Sequence, residues 1–453
     1  MNDVQSALET RLIDYAATLA WGDLSPAAIT QAKRRLADTI GGALGAYRAE
    51  PCRIARRLAP TMNTGPRIWG SLAATTPEAA AFANGTALRY LDINDTHRTV
   101  DGSHPSDNIG GLVATVEALG GSGRDLILAT AISYEIQARF VDAVPFNDNG
   151  WDQPVPGVMA MALAAGRLYG LDRAAMRDAL ALAVIPNLST YQTRAGELSM
   201  WKGCAAANGS RNGIFAAQLA AEGMTGPYQA FDGVFGLWNQ TLGKPYDLPT
   251  LAKGDGLMAV QQTNIKMYPV RDSCQLPVNT ARALRAKLSA DQIDRLTITT
   301  YASAHKGAVA DPELWAPKTR ETADHSMLVS VAVPLIDGTI TPESFETERF
   351  LDADVLDLIG RTQVDISAEF SALTPAKRTC RLDAWEADGT QHSTELTLTA
   401  EDIEQGPGDA ELEAKFMALT SRAMPEAAAE QLWSALTDLE TAQVADIVEL
   451  TRI

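Results

Sequence analysis

The sequence predicts a mainly α-helical protein in two parts: a large all-helical domain built from both chain ends, and a smaller α/β domain between them. Three observations carry this. Alanine and leucine recur at three- and four-residue spacing through roughly the first 250 residues and again near the C-terminus. After about residue 290 the period shortens to alternation with β-branched residues. Finally, 453 residues exceed what one hydrophobic core usually holds.

In the first part, Ser25-Pro26 and Thr76-Pro77-Glu78 each set a hydroxyl N-cap before a proline at the first helical position, where its missing N–H costs nothing. They predict helices over 26–46 and 77–91. Further periodic segments lie at 9–20, 108–119, 123–142, 157–170, 173–185 and 205–222, with glycine or proline near most ends. Gly120-Gly121-Ser122-Gly123 follows no strand, so it reads as a helix C-cap and turn and not as a dinucleotide fingerprint. Strands are predicted at Leu296–Tyr301, Val364–Ile366 and Cys380–Trp385, and Asp388-Gly389 is the turn leading to a partner strand at Thr394–Leu398. After Gly406-Pro407-Gly408 the helical period returns at 410–424 and 427–441. The helical domain is therefore assigned to 1–255 and 403–453, and the α/β domain to 256–402.

Charge narrows the partners. Lys plus Arg minus Asp plus Glu is 38 − 56 = −18, which repels phosphate backbones and anionic lipid headgroups, so nucleic acid and membrane surfaces are not expected partners. Four cysteines without a CxxC pair argue against a disulfide framework or thiolate zinc site. No apolar signal region is visible near the N-terminus, and the apolar run Val155–Gly166 stops at Arg167, short of the roughly 20 residues of a membrane span. A cytoplasmic location is expected.

Two of only five histidines fall in one polar segment, Leu91-Asp-Ile-Asn-Asp-Thr-His-Arg-Thr-Val-Asp-Gly-Ser-His-Pro-Ser106, which links two predicted helices. Three readings compete. The Asp and Ser residues could cap helices, a histidine could move protons, or Asp92, Asp95, His97, Asp101 and His104 could ligate a metal, although their spacing matches no closed zinc or calcium pattern. Between residues 185 and 275 the balance turns cationic, with Arg194, Lys202, Arg211, Lys244, Lys253, Lys266 and Arg271 against six acids. Lys202 and Lys266 sit among apolar and glycine neighbours, where an ammonium group can hold a carboxylate or merely extend its stem along apolar surface.

Asp92-Ile-Asn-Asp-Thr96 followed by His104-Pro-Ser106 resembles the MmgE/PrpD family, whose members include 2-methylcitrate dehydratase, cis-aconitate decarboxylase and iminodisuccinate epimerase. Asp38-Thr-Ile-Gly-Gly42, Asn84-Gly85, Glu222-Gly-Met-Thr-Gly-Pro227, Lys266-Met-Tyr-Pro269 and Ala323-Asp-His-Ser326 through Pro334-Leu335 are similar to family signatures in the same order. The resemblance implies that the α/β domain is a lid, that the chain forms a homodimer, and that a cofactor-free and metal-free active site lies between the domains. It carries catalytic roles to His104, Asp92, Lys202 and Lys266, and substrate binding to Thr96, Tyr268, Asp152 and Ser273. Four positions depart from relatives: Asp152 and Ser273 stand where histidines are frequent, Ala205 follows the lysine motif where decarboxylases show a histidine, and Val329 replaces a lid tyrosine.

The chemistry these residues suit is proton transfer α to a carboxylate, which needs a general acid/base and cations to stabilise an enediolate-like dianion. The expected activity is that of a lyase on a di- or tricarboxylic acid, most like a 2-methylcitrate dehydratase of propionate catabolism. Decarboxylation and epimerisation begin at the same carbon and stay open. An alternative of another class is a non-catalytic carboxylate-binding protein that kept the fold.

Overall fold

The computed structural model describes residues 7–453 and divides them into two compact units. Residues 1–6, part of the stretch read for a targeting signal, lie outside the described residues. The first unit holds the described residues up to Tyr191, with Gly203–Ile265 and Pro407–Ile453, and is helical apart from a two-stranded ribbon, β1 (His97–Arg98) and β2 (Gly102–Ser103).

The helix starts follow the capping chemistry. Ser25 Oγ accepts the Ala28 N–H at 3.2 Å and Thr76 Oγ1 accepts that of Ala79 at 3.3 Å, opening helices Pro26–Gly45 and Pro77–Tyr90. Ser122 and Asp125 form a capping box that opens Gly123–Ala143. Helix Pro154–Leu168 begins earlier than the periodicity indicated, because Pro154 and Pro156 occupy its first turn, where no N–H is missed. The apolar run Val155–Gly166 lies buried within it as a core helix, and among the described residues no helix is long and apolar enough to cross a membrane.

Small residues let these helices touch at backbone distance. A Cβ on Gly213, in helix Ala205–Ala221, would stand 2.8 Å from the Val158 carbonyl oxygen, and one on Gly85 would stand 2.8 Å from the Ala207 Cβ. A Cβ on Gly110, which opens Ile109–Ala118, would lie 2.9 Å from the Gly85 nitrogen. The polar segment 91–108 is thus fixed at both ends by close-packed helices. From the C-terminal part, helix Asp409–Thr420 packs on Pro26–Gly45, where Phe416 fills the space beside Gly41.

The second unit holds Gln192–Lys202 and Lys266–Gly406. Its sheet has the order β4 (Thr362–Ile366), β3 (Arg295–Thr300), β5 (Lys377–Trp385), β6 (Gln391–Thr399). Strands β3 and β4 are parallel, which demands a long crossover, and the chain between them is largely helical. The β5–β6 hairpin closes at Trp385↔Gln391 through Asp388-Gly389, with Gly389 at φ +88°. Helix Asp272–Arg285 covers β5 and β6 and packs against Met327–Asp337, burying Val278, Leu284, Leu328, Val331, Leu382 and Ala384.

One segment changes sides. Gln192–Lys202 was assigned with the helical domain but packs in the second unit: Leu198 donates its N–H to Thr322 Oγ1 at 2.9 Å, and the Glu197 carboxylate accepts the hydroxyls of Thr319 and Thr322 at 2.9 and 2.7 Å. It lacks a regular period, so these side-chain bonds, distant in sequence, decide its place. The first unit runs on past 255 to Ile265, because Asn264 pairs its backbone with Thr96 and Arg35 holds the Thr263 carbonyl at 2.8 Å.

Candidate functional site

Within the first unit, segment 91–108 is organised by Arg89, in the last turn of helix Pro77–Tyr90 and fully buried. Its guanidinium donates to Asp92 Oδ1, lies 2.9 Å from His104 Nε2, and pairs with Asp107 at 3.6 Å. Asp92 takes φ +52°, a left-handed conformation that aspartate tolerates, and this turns the chain away from the helix.

His104 is half-buried, and both ring nitrogens have partners. Nδ1 lies 2.7 Å from the Asp95 carbonyl oxygen, which only accepts, so Nδ1 carries the proton. Nε2 faces a guanidinium, which only donates, so Nε2 presents its lone pair. The arrangement selects a neutral imidazole in one tautomer. Gln153, the residue that precedes helix Pro154–Leu168, supports it: Oε1 accepts the His104 backbone N–H at 2.8 Å, and Nε2 donates to Asp107 at 3.1 Å. Asn94 ties Ser106 and Asp107 together at 2.9 Å each. With His104 neutral, Arg89, Asp92 and Asp107 leave the cluster one negative charge; protonating His104 brings it to zero.

Beneath this segment lies a buried ionic pair. Lys415 donates to Asp38 and, at 3.0 Å, to the Ile93 carbonyl. Burial pushes the Asp38 carboxyl above its ordinary range and the Lys415 ammonium below its own, and each opposes the other's shift. Asp95 Oδ1 accepts the Ser106 N–H at 3.2 Å. The segment that presents His104 is therefore held from the helix ends, from Gln153 and from below.

The remaining donors of the metal reading point to separate partners. His97 Nε2 bonds Asp142 at 2.8 Å, and Asp101 accepts the N–H groups of Gly102 and Asn147 at 2.8 and 3.0 Å. Burial raises the Asp142 carboxyl, but the bond from His97, reinforced by Arg139 and Thr99, holds it down at about 2. Burial pushes Asp101 up to about 6 despite its two backbone bonds. Thr96 is buried, with its hydroxyl on the Ser103 carbonyl at 3.2 Å. Asp152 is also buried, and its Oδ1 accepts the Gln153 N–H at 2.9 Å at the entry to helix Pro154–Leu168.

In the second unit, Lys202 is buried and its ammonium bonds both carboxylate oxygens of Asp324, at 2.7 and 2.9 Å. Asp324 also takes His325 Nδ1 at 2.6 Å and Arg320 at 3.2 Å. Burial alone would raise the Asp324 carboxyl, yet Lys202, His325 and Arg320 outweigh it and hold it below the usual range. Lys266 is fully buried. The loop that follows it is laced by Gln275, whose Oε1 accepts the N–H groups of Met267 and Tyr268 at 3.0 and 3.1 Å, while Nε2 donates to the Tyr268 and Val270 carbonyls at 2.9 Å. Tyr268 turns its hydroxyl to Asn279 and Arg282 at 2.8 and 2.6 Å. Ser273 is buried in the first turn of Asp272–Arg285, Val329 is buried in Met327–Asp337, and Ala205 is the buried first residue of its helix.

The structure places His104 half-buried and Lys202 and Lys266 buried, and it sets side chains against two of them that the sequence did not single out. Arg89 stands between Asp92 and His104, and Asp324, itself bonded by His325, pairs with Lys202. Asp324 and His325 lie within the Ala323-Asp-His-Ser326 signature, but among the polar residues Lys318–Ser326 nothing local marks them out.

Comparison with known proteins agrees with this architecture. The MmgE/PrpD N-terminal domain matches residues 10–248 and the MmgE/PrpD C-terminal domain matches residues 268–441. Cis-aconitate decarboxylase of Homo sapiens is 28% identical over 76% of this chain and 73% of its own. 2-Methylcitrate dehydratase of Cupriavidus necator is 28% identical over 79% and 78%, and cis-aconitate decarboxylase of Mus musculus 27% over 95% and 90%. With both domains matched in order over most of its length, the chain belongs to the MmgE/PrpD family.

Proposed function

We propose that this chain is a cofactor-independent lyase that moves a proton at the carbon α to a carboxylate of a di- or tricarboxylic acid, most like a 2-methylcitrate dehydratase. The observation that carries the proposal is His104, held in one neutral tautomer by the Asp95 carbonyl and Arg89. A base needs a lone pair at a fixed position and surroundings that welcome the proton it takes up. Nε2 supplies the lone pair, and the single excess negative charge of the Arg89, Asp92 and Asp107 cluster offsets the imidazolium once formed. For the transfer, Nε2 exchanges its bond from Arg89 for the substrate proton, while Nδ1–H remains on Asp95. The cationic cluster around Lys202, with Lys266, is assigned to the substrate carboxylates.

The relatives' names support a lyase and divide between dehydratase and decarboxylase. Dehydration is placed first, with decarboxylation and epimerisation as the alternatives that share the same first step. A homodimer in the cytoplasm accompanies the proposal, as the resemblance implies. One pair of observations favours the non-catalytic reading: both His104 nitrogens are occupied, and Lys202 is already paired with a carboxylate. Incubating the protein in deuterated water with citrate, 2-methylcitrate, cis-aconitate and aspartate-derived acids, followed by proton NMR, separates the two. Exchange or turnover of any one supports the lyase, and binding without exchange across the panel supports the carboxylate-binding protein.

A further inference from the structure

The cations of the second unit are mostly spent. Lys202, Arg320 and His325 converge on Asp324; Arg378 bonds Asp272 at 2.9 Å; Arg349 bridges Asp337, Asp352 and Asp354; Arg285 holds two backbone carbonyls. Arg271 differs. Its Nε is buried with no acceptor, and among the described residues its guanidinium meets neither a hydrogen-bond acceptor nor a carboxylate. Only Nε is buried; the terminal nitrogens of this half-buried arginine reach solvent, which leaves the fork open to an anion in a chain of net charge −18.

Its position is fixed at both ends. The Arg271 N–H bonds the Asp324 carbonyl at 2.9 Å, so the residue adjoins the Lys202 cluster, and its carbonyl accepts the Cys274 N–H at 2.9 Å where helix Asp272–Arg285 starts. The guanidinium lies against helix Ala302–Ala308 at Gly307, where a Cβ would come within 2.8 Å of Cζ, so glycine makes room for the flat group. The loop from Lys266 to Arg271 is the one Gln275 laces. The geometry points to Arg271 as the group that docks a substrate carboxylate. Its planar fork matches a carboxylate bidentately, and it adds a cation beside Lys202 and Arg320, which share the one carboxylate of Asp324. This rests on the proposed function and names the residue that selects its polycarboxylate class.

The test compares the native chain with Arg271→Met and Arg271→Lys, titrating tricarballylate, an unreactive tricarboxylate, by calorimetry after thermal melts establish folding. Arg271→Met is expected to lose roughly tenfold to a hundredfold in affinity, and Arg271→Lys to fall between, since it keeps the charge and loses the fork. Native-like affinity in Arg271→Lys and Arg271→Met overturns the assignment alone. Should Arg271→Met not fold, native-like affinity in Arg271→Lys overturns it as well. A native chain that neither binds tricarballylate nor exchanges α-protons overturns the proposed function, and the assignment falls with it.

Discussion

Arg89 Nη2 lies 2.9 Å from His104 Nε2, a permanent cation set against the lone pair of the imidazole. Arg89 does not touch the substrate in this account. It positions the imidazole and fixes its tautomer, and Asp92 and Asp107 hold Arg89 in turn. Arg89→Met should therefore lower kcat by about tenfold or more while KM moves little, and Arg89→Lys should recover part of the loss. A rise in KM with kcat unchanged would instead make Arg89 a substrate-binding group.

Removing one partner of a buried ion pair leaves the other charge uncompensated, at a typical cost of about 3–5 kcal/mol. Asp324→Asn removes the carboxylate that Lys202, Arg320 and His325 share, so denaturant unfolding should show a loss of that order for the cooperative unit containing it. The double variant Asp324→Asn with Lys202→Met should recover part of it, because the buried ammonium is then gone while Arg320 still lacks its carboxylate. Additive losses would show that the two side chains do not depend on each other.

Asp101 sets a pH signature. Burial raises its folded pKa to about 6 from an ordinary 3.8, so its contribution to stability is fully present below about pH 3.8 and is lost as pH rises through 6. Asp101→Asn abolishes this titration, so the stability of the variant relative to the native chain should rise by about 2–3 kcal/mol between pH 4 and pH 7.5, whatever the fixed cost of the amide against two N–H donors. Urea unfolding at both pH values checks it; parallel profiles would mean that Asp101 ionises without strain.

Activity is expected to survive exhaustive chelation, since the proposed chemistry draws its positive charge from Arg271, Lys266 and the Lys202 cluster. Stoichiometric iron or zinc in purified protein, with activity lost on removal and regained on return, would contradict this.

The helices and strands were legible because local chemistry decides them. Ser25, Thr76 and Asp388-Gly389 each close a hydrogen bond or turn within a few residues, so capping and turn rules reach them. Segment 192–202 was misplaced because Glu197 and Leu198 find their partners at Thr319 and Thr322, which no periodicity reveals. The same limit applied to the candidate site. His104 stood out as one of five histidines in a polar segment, whereas Arg89, Gln153 and Asp324 look ordinary in sequence and gain their meaning only from what they face. Arg271 was visible only as one cation among seven, and what distinguishes it, the lack of a partner, is a property of the fold.

The most direct measurement of the central claim is α-proton exchange in deuterated water, followed by proton NMR on a carboxylate that the native chain exchanges, for the native chain and for His104→Ala. The account predicts a native-like melting temperature in the variant, because His104 is a half-buried loop residue, together with loss of exchange by about 10²–10⁴-fold. Exchange at the native rate in a folded His104→Ala protein would contradict it and return His104 to a structural role.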